Sequence, residues 1–513
     1  MKRRLLLAAS IWSVSILGSR VVGLVREAVL GRTLGAGRET DAYMAAFTVP
    51  DVLNYLLAGS ALSIAFIPLF AAHLARSDER RAWESFSVVA NAVSAGMVLL
   101  VLAAWFAMPS LVVLVGPGFD AASRERTVEL TRIVLLAQPF HVVGGLLAAA
   151  LQARDRHALP ALAPLVYNLG IVAGGLIGGR AYGAEGFAWG VVAGSVAGPF
   201  LLPLAGCLAM GLRWSPRFDL RHVDLRAYLV RSLPIMLGFS IIVVDEWFLR
   251  REGSRVGEGV VSVLSYAKRL MLVPVGVVGI AAGAAVYPTL VALAREARRE
   301  ELKRTLLTTL RPLVLLSFLA QMALMVAGPE LVRLVYGQRL DPARTGEIVS
   351  ALSLFSLSVM AWSTHQLFSR CSYAFGNTWL PVLLGTAVAL PSYPLYVWLR
   401  ARGGVEGLAL ASSIAIGVYT LVLALAVERR WLRLERSERR ELGRFALESL
   451  LFLGAGCASG LVVRHFTPEA TSFAGALARA ALLVSAAGAG ALACGLALGL
   501  EELRGLRRRA PQP

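Results

Sequence analysis

Arg20 and Arg26, each set in an otherwise apolar run, and the pair Lys268 and Arg269 within Tyr266-Ala267-Lys268-Arg269-Leu270-Met271 are the residues whose type and placement could do chemistry. On insertion scales a charge at the centre of a bilayer costs about 2.5 to 3.5 kcal/mol, so each needs a partner, a water-filled cavity or a ligand. Arginine presents a planar fork that matches phosphate oxygens, and clustered arginine suits a diphosphate. A cavity lined this way would select an anionic headgroup. Arg20 and Arg26 are six residues apart, about 600° of helical rotation, which keeps both in one broad sector on successive turns. Acids lie nearby in sequence: Glu27, Asp41 and Asp51 near the first pair, Asp245 and Glu246 before the second. Internal pairing, of Arg26 with Asp41 or Asp51 and of Arg269 with Asp245 or Glu246, is the alternative to ligand binding. Asp245 and Glu246 fit an ion-coupling or proton-relay site as well as they fit salt bridges to Arg250 or Arg251.

The elements that must carry these groups are membrane helices. The chain has 513 residues, 57% of them hydrophobic and 16% charged, with a mean hydropathy of +0.66, too apolar for a water-soluble protein of this size. With about 20 mostly apolar residues per crossing, about fourteen segments qualify. They fall at 5–33, 41–74, 85–115, 127–153, 158–179, 184–210, 228–249, 257–292, 305–335, 346–374, 378–399, 404–427, 443–463 and 470–499. The expected class is therefore an all-α integral membrane protein. Met1-Lys2-Arg3-Arg4 followed by an apolar run resembles a secretory leader, but no small-residue cleavage site precedes Arg20, so the segment reads as a retained first helix.

A net charge of +18 invites a nucleic-acid reading, which the position of the charges argues against. The heaviest loops are 213–231 with five arginines, 295–311 with six Lys or Arg, and 429–444 with seven arginines. All three fall on the side shared by both termini, and the positive-inside rule makes that side cytoplasmic. The basic charge then marks topology and contacts with anionic lipid headgroups. No loop has room for a folded domain, so neither a nucleic-acid reader nor a soluble catalytic domain is expected. No GxxxxGK[ST] loop is present for a nucleotide, and the six histidines form no HExxH set. Cys207, Cys371, Cys457 and Cys494 lie far apart in apolar segments and read as small buried hydrophobes. No metal and no cofactor are called for.

An internal echo organises the chain. Ala158-Leu159-Pro160 recurs as Trp379-Leu380-Pro381 and Gly183-Ala184-Glu185-Gly186 as Gly404-Val405-Glu406-Gly407, both 221 residues on. Two six-helix halves follow, and because six is even they are parallel repeats. The expected division is 1–215 for the first half, 216–430 for the second, and 431–513 for two further helices and a basic tail. Such halves flank a substrate path in transporters, and each half here directs cationic residues toward a shared centre. Gly276, Gly279 and Gly283 read as close helix packing; Pro50 and Pro274 fit either packing or a hinge.

Several blocks in order carry a family resemblance: Ser19-Arg20-Val21-Val22-Gly23-Leu24-Val25-Arg26-Glu27, Thr40-Asp41-Ala42-Tyr43, Val49-Pro50-Asp51, Gly116-Pro117-Gly118-Phe119, Ala163-Pro164-Leu165-Val166-Tyr167-Asn168 and the Tyr266 block. Together they resemble the MurJ (MviN) family of lipid II flippases over essentially the whole chain. The resemblance implies the multidrug/oligosaccharidyl-lipid/polysaccharide exporter fold, with two six-helix lobes around a cationic cavity and two extra helices. It implies a transporter and not an enzyme: a flippase carrying an undecaprenyl-diphosphate-linked peptidoglycan precursor to the outer leaflet by alternating access, in the bacterial cytoplasmic membrane, acting as a monomer. Arg20, Arg26 and Arg269 match arginines used for the lipid diphosphate, and Asp41 matches a functional aspartate; Lys268, Asp51 and Asn54 complete the expected cavity set. Asn54 stands where the family has another arginine, Gly59 where it has Glu, Lys268 where it has Asp, and Asn377 where it often has an acid linked to sodium. By charge counting, Lys268 replaces the cation lost at Asn54. The departures bear on the coupling ion, sodium or proton or the membrane potential alone, for which Asp245, Glu246 and Asn377 are the candidates. The alternatives are an exporter of another lipid-linked oligosaccharide and, against the cationic lining, a drug/cation antiporter.

Overall fold

Helix is the only regular structure among the described residues, because in a lipid environment each backbone N–H and C=O must find its partner within the segment. The structure, a computed structural model, describes residues 2–57, 60–237, 241–337, 340–470, 472–500 and 502, without the side chains of 2–17, 60–64, 233–237, 242, 280 and 281. Gly59 therefore lies outside the described residues. Nine helices among those described are long and apolar enough to cross a membrane, ten if the pair Pro342–Ser356 and Val359–Ala374, bent by 42°, is one span. The fourteen expected segments map onto fewer qualifying spans for local reasons. The segment 41–74 comprises Arg38–Ala46, Thr48–Leu57 and Ser60–Ala75, while 378–399 and 404–427 are two helices that meet at the non-helical Gly404, although Trp379–Leu432 counts as a single span. Large apolar side chains face outward, among them Leu99, Phe106 and Ile177, as lipid-facing surfaces require.

The chain forms two compact units, Met1–Ser262 and Val263–Pro513. In the first, Phe66, Phe70, Trp83 and Phe86 form a ring cluster with centroids 5.2 to 6.1 Å apart, Phe66 and Phe70 tilted and the other pairs edge to face, at the heart of a core that extends along Glu79–Val115 through Met97, Met108 and Val112. Ala158–Tyr182 and Ala184–Ser195 form an antiparallel pair whose backbones touch. A Cβ on Gly174 would meet the Gly186 carbonyl oxygen at 2.4 Å and Gly190 Cα at 2.6 Å, both backbone atoms with no room to yield. Gly174→Ala is expected to cost about 2 kcal/mol by overpacking, read as a lower thermal midpoint of the purified protein in detergent; an unchanged midpoint would show that the two helices slide apart without penalty.

The second unit buries the last two helices, Arg436–Phe466 and Phe473–Leu498, against Arg299–Val326. Phe318, Met322 and Val326 meet Phe452, Leu483 and Ala487. Ion pairs hold this hairpin at both ends: Lys303 with Glu438 at 2.9 Å and Arg311 with Glu441 at 2.8 Å at one, Arg333 with Glu469 at 3.0 Å and Arg479 with Glu330 at 2.8 Å at the other. The hydrogen bond from Lys303 holds the Glu438 carboxyl below its ordinary range, and that from Arg333 does the same for Glu469.

The internal echo is visible in the backbone. Left-handed φ values occur at Gly35, Ser77, Asp155, Gly183 and Gly211, and again 220 to 224 residues later at Gly259, Ala297, Gly376, Gly404 and Arg433. Gly183, at φ 59° and ψ −131°, and Gly404, at φ 50° and ψ −120°, share a conformation open to glycine alone, and each turns one apolar helix into the next. Pro274 lies just before a π turn at Gly276–Ile280, and Pro199 lies inside another at Val196–Leu201, the usual accommodation of a missing N–H. Pro50 sits in the first turn of Thr48–Leu57, where proline needs no accommodation. Gly279 and Gly283 pack closely, a Cβ on the first meeting Ser363 Cα at 2.7 Å and on the second Arg370 Nε at 2.9 Å.

Candidate functional site

The first helix, Lys2–Leu34, is apolar apart from its N-terminal cluster, Arg20 and the polar stretch from Arg26. Arg26 directs Nη1 to Asn168 Oδ1 at 2.9 Å, while its Nε and Nη2 reach Glu27 Oε1 at 3.0 and 2.6 Å. Asn168 belongs to Ala158–Tyr182 and also donates Nδ2 to Ser19 Oγ at 3.4 Å. Adjacent helical residues point about 100° apart, so Arg26 reaches Glu27 by wrapping its long side chain around the helix. The result is a guanidinium whose fork is aimed by a neutral amide and one carboxylate. Arg20, earlier on the same helix, is half-buried, and its Nε has no hydrogen-bond partner among the described residues. Asn168, the last residue of the block Ala163-Pro164-Leu165-Val166-Tyr167-Asn168, has a role that only the fold reveals. Its signal was an amide inside the apolar run Leu165-Val166-Tyr167-Asn168-Leu169, where a polar group needs a partner.

Asp41 is 2% exposed, and both its oxygens hold backbone N–H groups, Gly259 N on Oδ2 at 2.6 Å and Ser262 N on Oδ1 at 2.7 Å. These amides open the helix Val260–Val275, which carries Lys268 and Arg269. A carboxylate on the positive end of a helix dipole is favourable, and here it fixes the start of a helix that bears two candidate ligand groups. Asp41 thus acts in this structure through the backbone it holds. Asp41→Ala is expected to cost about 3 kcal/mol, since two charge-assisted hydrogen bonds to buried donors are lost, whereas Asp41→Asn retains one acceptor and costs about 1 kcal/mol. Hydrogen exchange at Gly259 and Ser262 reads this directly; equal protection in both variants and the wild type would rule out the capping role.

Asp51 and Glu246 converge on Arg250, which is 8% exposed. Its Nη1 donates to Asp51 Oδ2 at 3.2 Å and Thr48 Oγ1 at 3.1 Å, and its Nη2 to Glu246 Oε2 at 3.0 Å. Of the two readings of Glu246, the structure shows the bridge to Arg250. Asp245, its neighbour, is 4% exposed. Asn54 is half-buried three positions after Asp51, one turn along the same helix. Arg250, expected only as a bland partner, is the centre of this cluster.

In the second unit Lys268 is 4% exposed with Nζ 6.0 Å from the centre of the Trp362 ring, a cation over an aromatic face. Arg269 beside it is half-buried. Arg370 lies over Tyr287 at 5.6 Å, and its Nε has no hydrogen-bond partner among the described residues. Asn377 caps Trp379–Ala389, its Oδ1 accepting from Leu380 N at 3.0 Å while its backbone carbonyl accepts from Ser372 Oγ at 2.7 Å.

A family model described as Lipid II flippase MurJ matches residues 30–476. Among curated proteins, the probable lipid II flippase MurJ of Borreliella burgdorferi is 23% identical over 430 residues, 83% of this chain and 84% of its own. The lipid II flippase MurJ of Burkholderia cenocepacia is 26% identical over 431 residues, 80% of this chain and 81% of its own. Among solved structures, a lipid II flippase MurJ in an inward closed conformation superposes with a TM-score of 0.77 at 21% identity, covering 97% of this chain and 99% of its own. An inward-facing multidrug resistance MATE family transporter of the MOP superfamily superposes with a TM-score of 0.66 at 17% identity, covering 81% and 97%. At these identities the structures establish a common fold.

Proposed function

Because the chain belongs to the lipid II flippase MurJ family, we propose that it moves lipid II from the inner to the outer leaflet of the bacterial cytoplasmic membrane, as a multi-pass transporter and not an enzyme. The observation that carries this reading is the family match over 30–476, which takes in every segment that bears a candidate site residue except Arg20 and Arg26. The local geometry supports it. Arg26 is aimed by a neutral amide and one carboxylate, Arg20 Nε has no hydrogen-bond partner among the described residues, and Lys268 and Arg269 sit on a helix whose start is held by Asp41. These are donors suited to a diphosphate, which offers several acceptor oxygens to forked and point cations at once. Arg20 and Arg26 of the first unit are assigned to the diphosphate and sugar, as are Lys268 and Arg269 of the second, and the polyprenyl tail stays in lipid. The basic loops face the cytoplasm, with both termini. Coupling to sodium, protons or the membrane potential falls to Asp245, Glu246 and Asn377 in this reading, two carboxylates and an amide carried in or beside apolar segments.

The test is leaflet accessibility of lipid II in cells in which this chain is the sole flippase. Exposure of lipid II on the outer leaflet supports the reading, and retention on the inner leaflet removes it. The same cells carrying Asp245→Asn, assayed with and without sodium and with an uncoupler, show whether Asp245 links transport to an ion; an unchanged dependence assigns coupling elsewhere.

A further inference from the structure

Between the helix ending at Leu208 and the helix beginning at Val223, the chain runs as an irregular strap that is fastened to the first unit at both ends. Near its start, Asn91 Nδ2 donates to the carbonyls of Ser215 and Arg217 at 2.8 and 2.9 Å, and Trp214 Nε1 donates to Asn91 Oδ1 at 2.9 Å. Ser215 N donates to Ser87 Oγ at 3.1 Å, and Arg217 pairs with Glu84 at 2.8 Å. At its far end Asp224 Oδ2 meets His73 Nε2 at 2.9 Å, and Asp224 N donates to His222 Nδ1 at 3.2 Å. A backbone fixed this way is not a slack loop.

Yet its large apolar side chains face outward. Trp214, Phe218, Leu220 and Val223 are 56%, 67%, 77% and 73% exposed. Interleaved with them, Arg213, Arg221 and Arg226 are exposed and pair with no carboxylate among the described residues. The one acid in the strap's middle, Asp219, accepts from Arg221 N.

Depth can be read from the helix it is fastened to. Glu79–Val115 has 37 residues, about 55 Å of helix against a hydrocarbon core of about 30 Å. Its first turns hold Glu79, Arg80, Arg81 and Glu84, and the uncharged run begins at Ser85. Asn91, and with it the Trp214 indole, therefore lies at the level where headgroups meet acyl chains, the level tryptophan favours.

We infer that the strap from Arg213, together with the first turn of the helix that follows it through Arg226, is an interfacial anchor for anionic lipid. Trp214, Phe218, Leu220 and Val223 enter the headgroup and upper acyl region, and Arg213, Arg221 and Arg226 meet lipid phosphates. Interleaved aromatic and basic groups are complementary to an anionic bilayer surface and to no apolar protein face. The inference rests on the chain's being a membrane protein and not on which lipid it transports.

Two measurements on the purified full chain test it, and neither reads flipping. In a titration with phosphatidylglycerol followed by mass spectrometry of the intact protein, Arg213→Gln/Arg221→Gln/Arg226→Gln is expected to weaken binding about tenfold or more. Arg429→Gln/Arg430→Gln/Arg433→Gln, with the same loss of charge elsewhere, is expected to change it little. Equal loss in both variants would reduce the effect to net charge and overturn the site. In nanodiscs containing phosphatidylglycerol, a fluorophore on Leu220→Cys, with the unsubstituted protein as background, is expected to be quenched by lipids brominated near the headgroup end of the acyl chain. Quenching by aqueous iodide alone would place the strap in solvent and overturn the anchor in favour of a soluble partner.

Discussion

Arg26→Ala is expected to abolish lipid II translocation, lowering it by a factor on the order of a hundred or more. Two charge-assisted hydrogen bonds of about 1.5 to 3 kcal/mol each account for that loss if the fork holds a phosphate in the bottleneck of transport. The same substitution also takes the guanidinium from Oε1 of Glu27, which is 4% exposed. Removing one member of a buried pair costs about 3 kcal/mol, so a single variant confuses misfolding with lost grip. Arg26→Gln/Glu27→Gln separates them. Neutral amides at both positions can still meet Asn168, so the thermal midpoint is expected to return toward that of the wild type while outer-leaflet exposure of lipid II stays absent. Wild-type transport by the double variant would show that Arg26 serves only to balance Glu27. Arg26→Lys keeps the charge but cannot reach Asn168 and Glu27 with a rigid fork, and is expected to transport weakly.

The largest effect on stability is expected at Arg479→Leu. Arg479 has a side chain 10% exposed and meets Glu330 Oε1 at 2.8 Å, with the Glu330 side chain 2% exposed. It also donates to the carbonyls of Thr467 and Arg464, at 3.2 and 3.4 Å, which end the helix Arg436–Phe466. Loss of the guanidinium leaves a buried carboxylate and takes a donor from the Thr467 carbonyl, while Arg464 O keeps Thr467 N and Oγ1, a cost of about 3 to 5 kcal/mol. Because Arg479 ties the last two helices to Gly328–Tyr336, the damage is expected to be local: faster hydrogen exchange and proteolysis within 436–498, with the first unit unaffected. Arg479→Leu/Glu330→Leu removes the stranded charge and is expected to recover most of the loss. If the single variant is as resistant to proteolysis as the wild type, the hairpin is held by its apolar seam of Phe452, Leu483 and Ala487 alone.

Arg26 and Arg479 differ in how visible they were in advance. Arg26 stood out because a cation in an apolar segment is conspicuous in one dimension. Arg479 lies in an alanine-rich run, Ala476-Leu477-Ala478-Arg479-Ala480, that is just as apolar, but it follows the loop after Phe466, where a cation at a helix end reads as an interfacial residue. Its partner Glu330 is 149 residues away, and nothing local to either residue announces the other.

That contrast holds for the whole molecule. Composition and run length determined a helical membrane protein, because satisfying the backbone in lipid leaves little else. The recurrence at 221 residues determined the repeat, because the turns at Gly183 and Gly404 need a conformation that only glycine adopts, so the requirement is written into single residues. Gly279 and Gly283 read as packing residues for the same reason: the absence of a side chain is itself the information. Partner choice was decided only by the tertiary structure. In the sequence Asp41 and Asp51 were alternative counter-ions for Arg26, and Asp245 and Glu246 for Arg269, Arg250 or Arg251. The fold gives Asp41 to the backbone of Gly259 and Ser262, brings Asp51 and Glu246 together on Arg250, and hands Arg26 to Asn168. Helical period and hydropathy are properties of neighbours along the chain. Which charge meets which depends on which helices lie side by side, and that is settled by packing across more than a hundred residues of sequence.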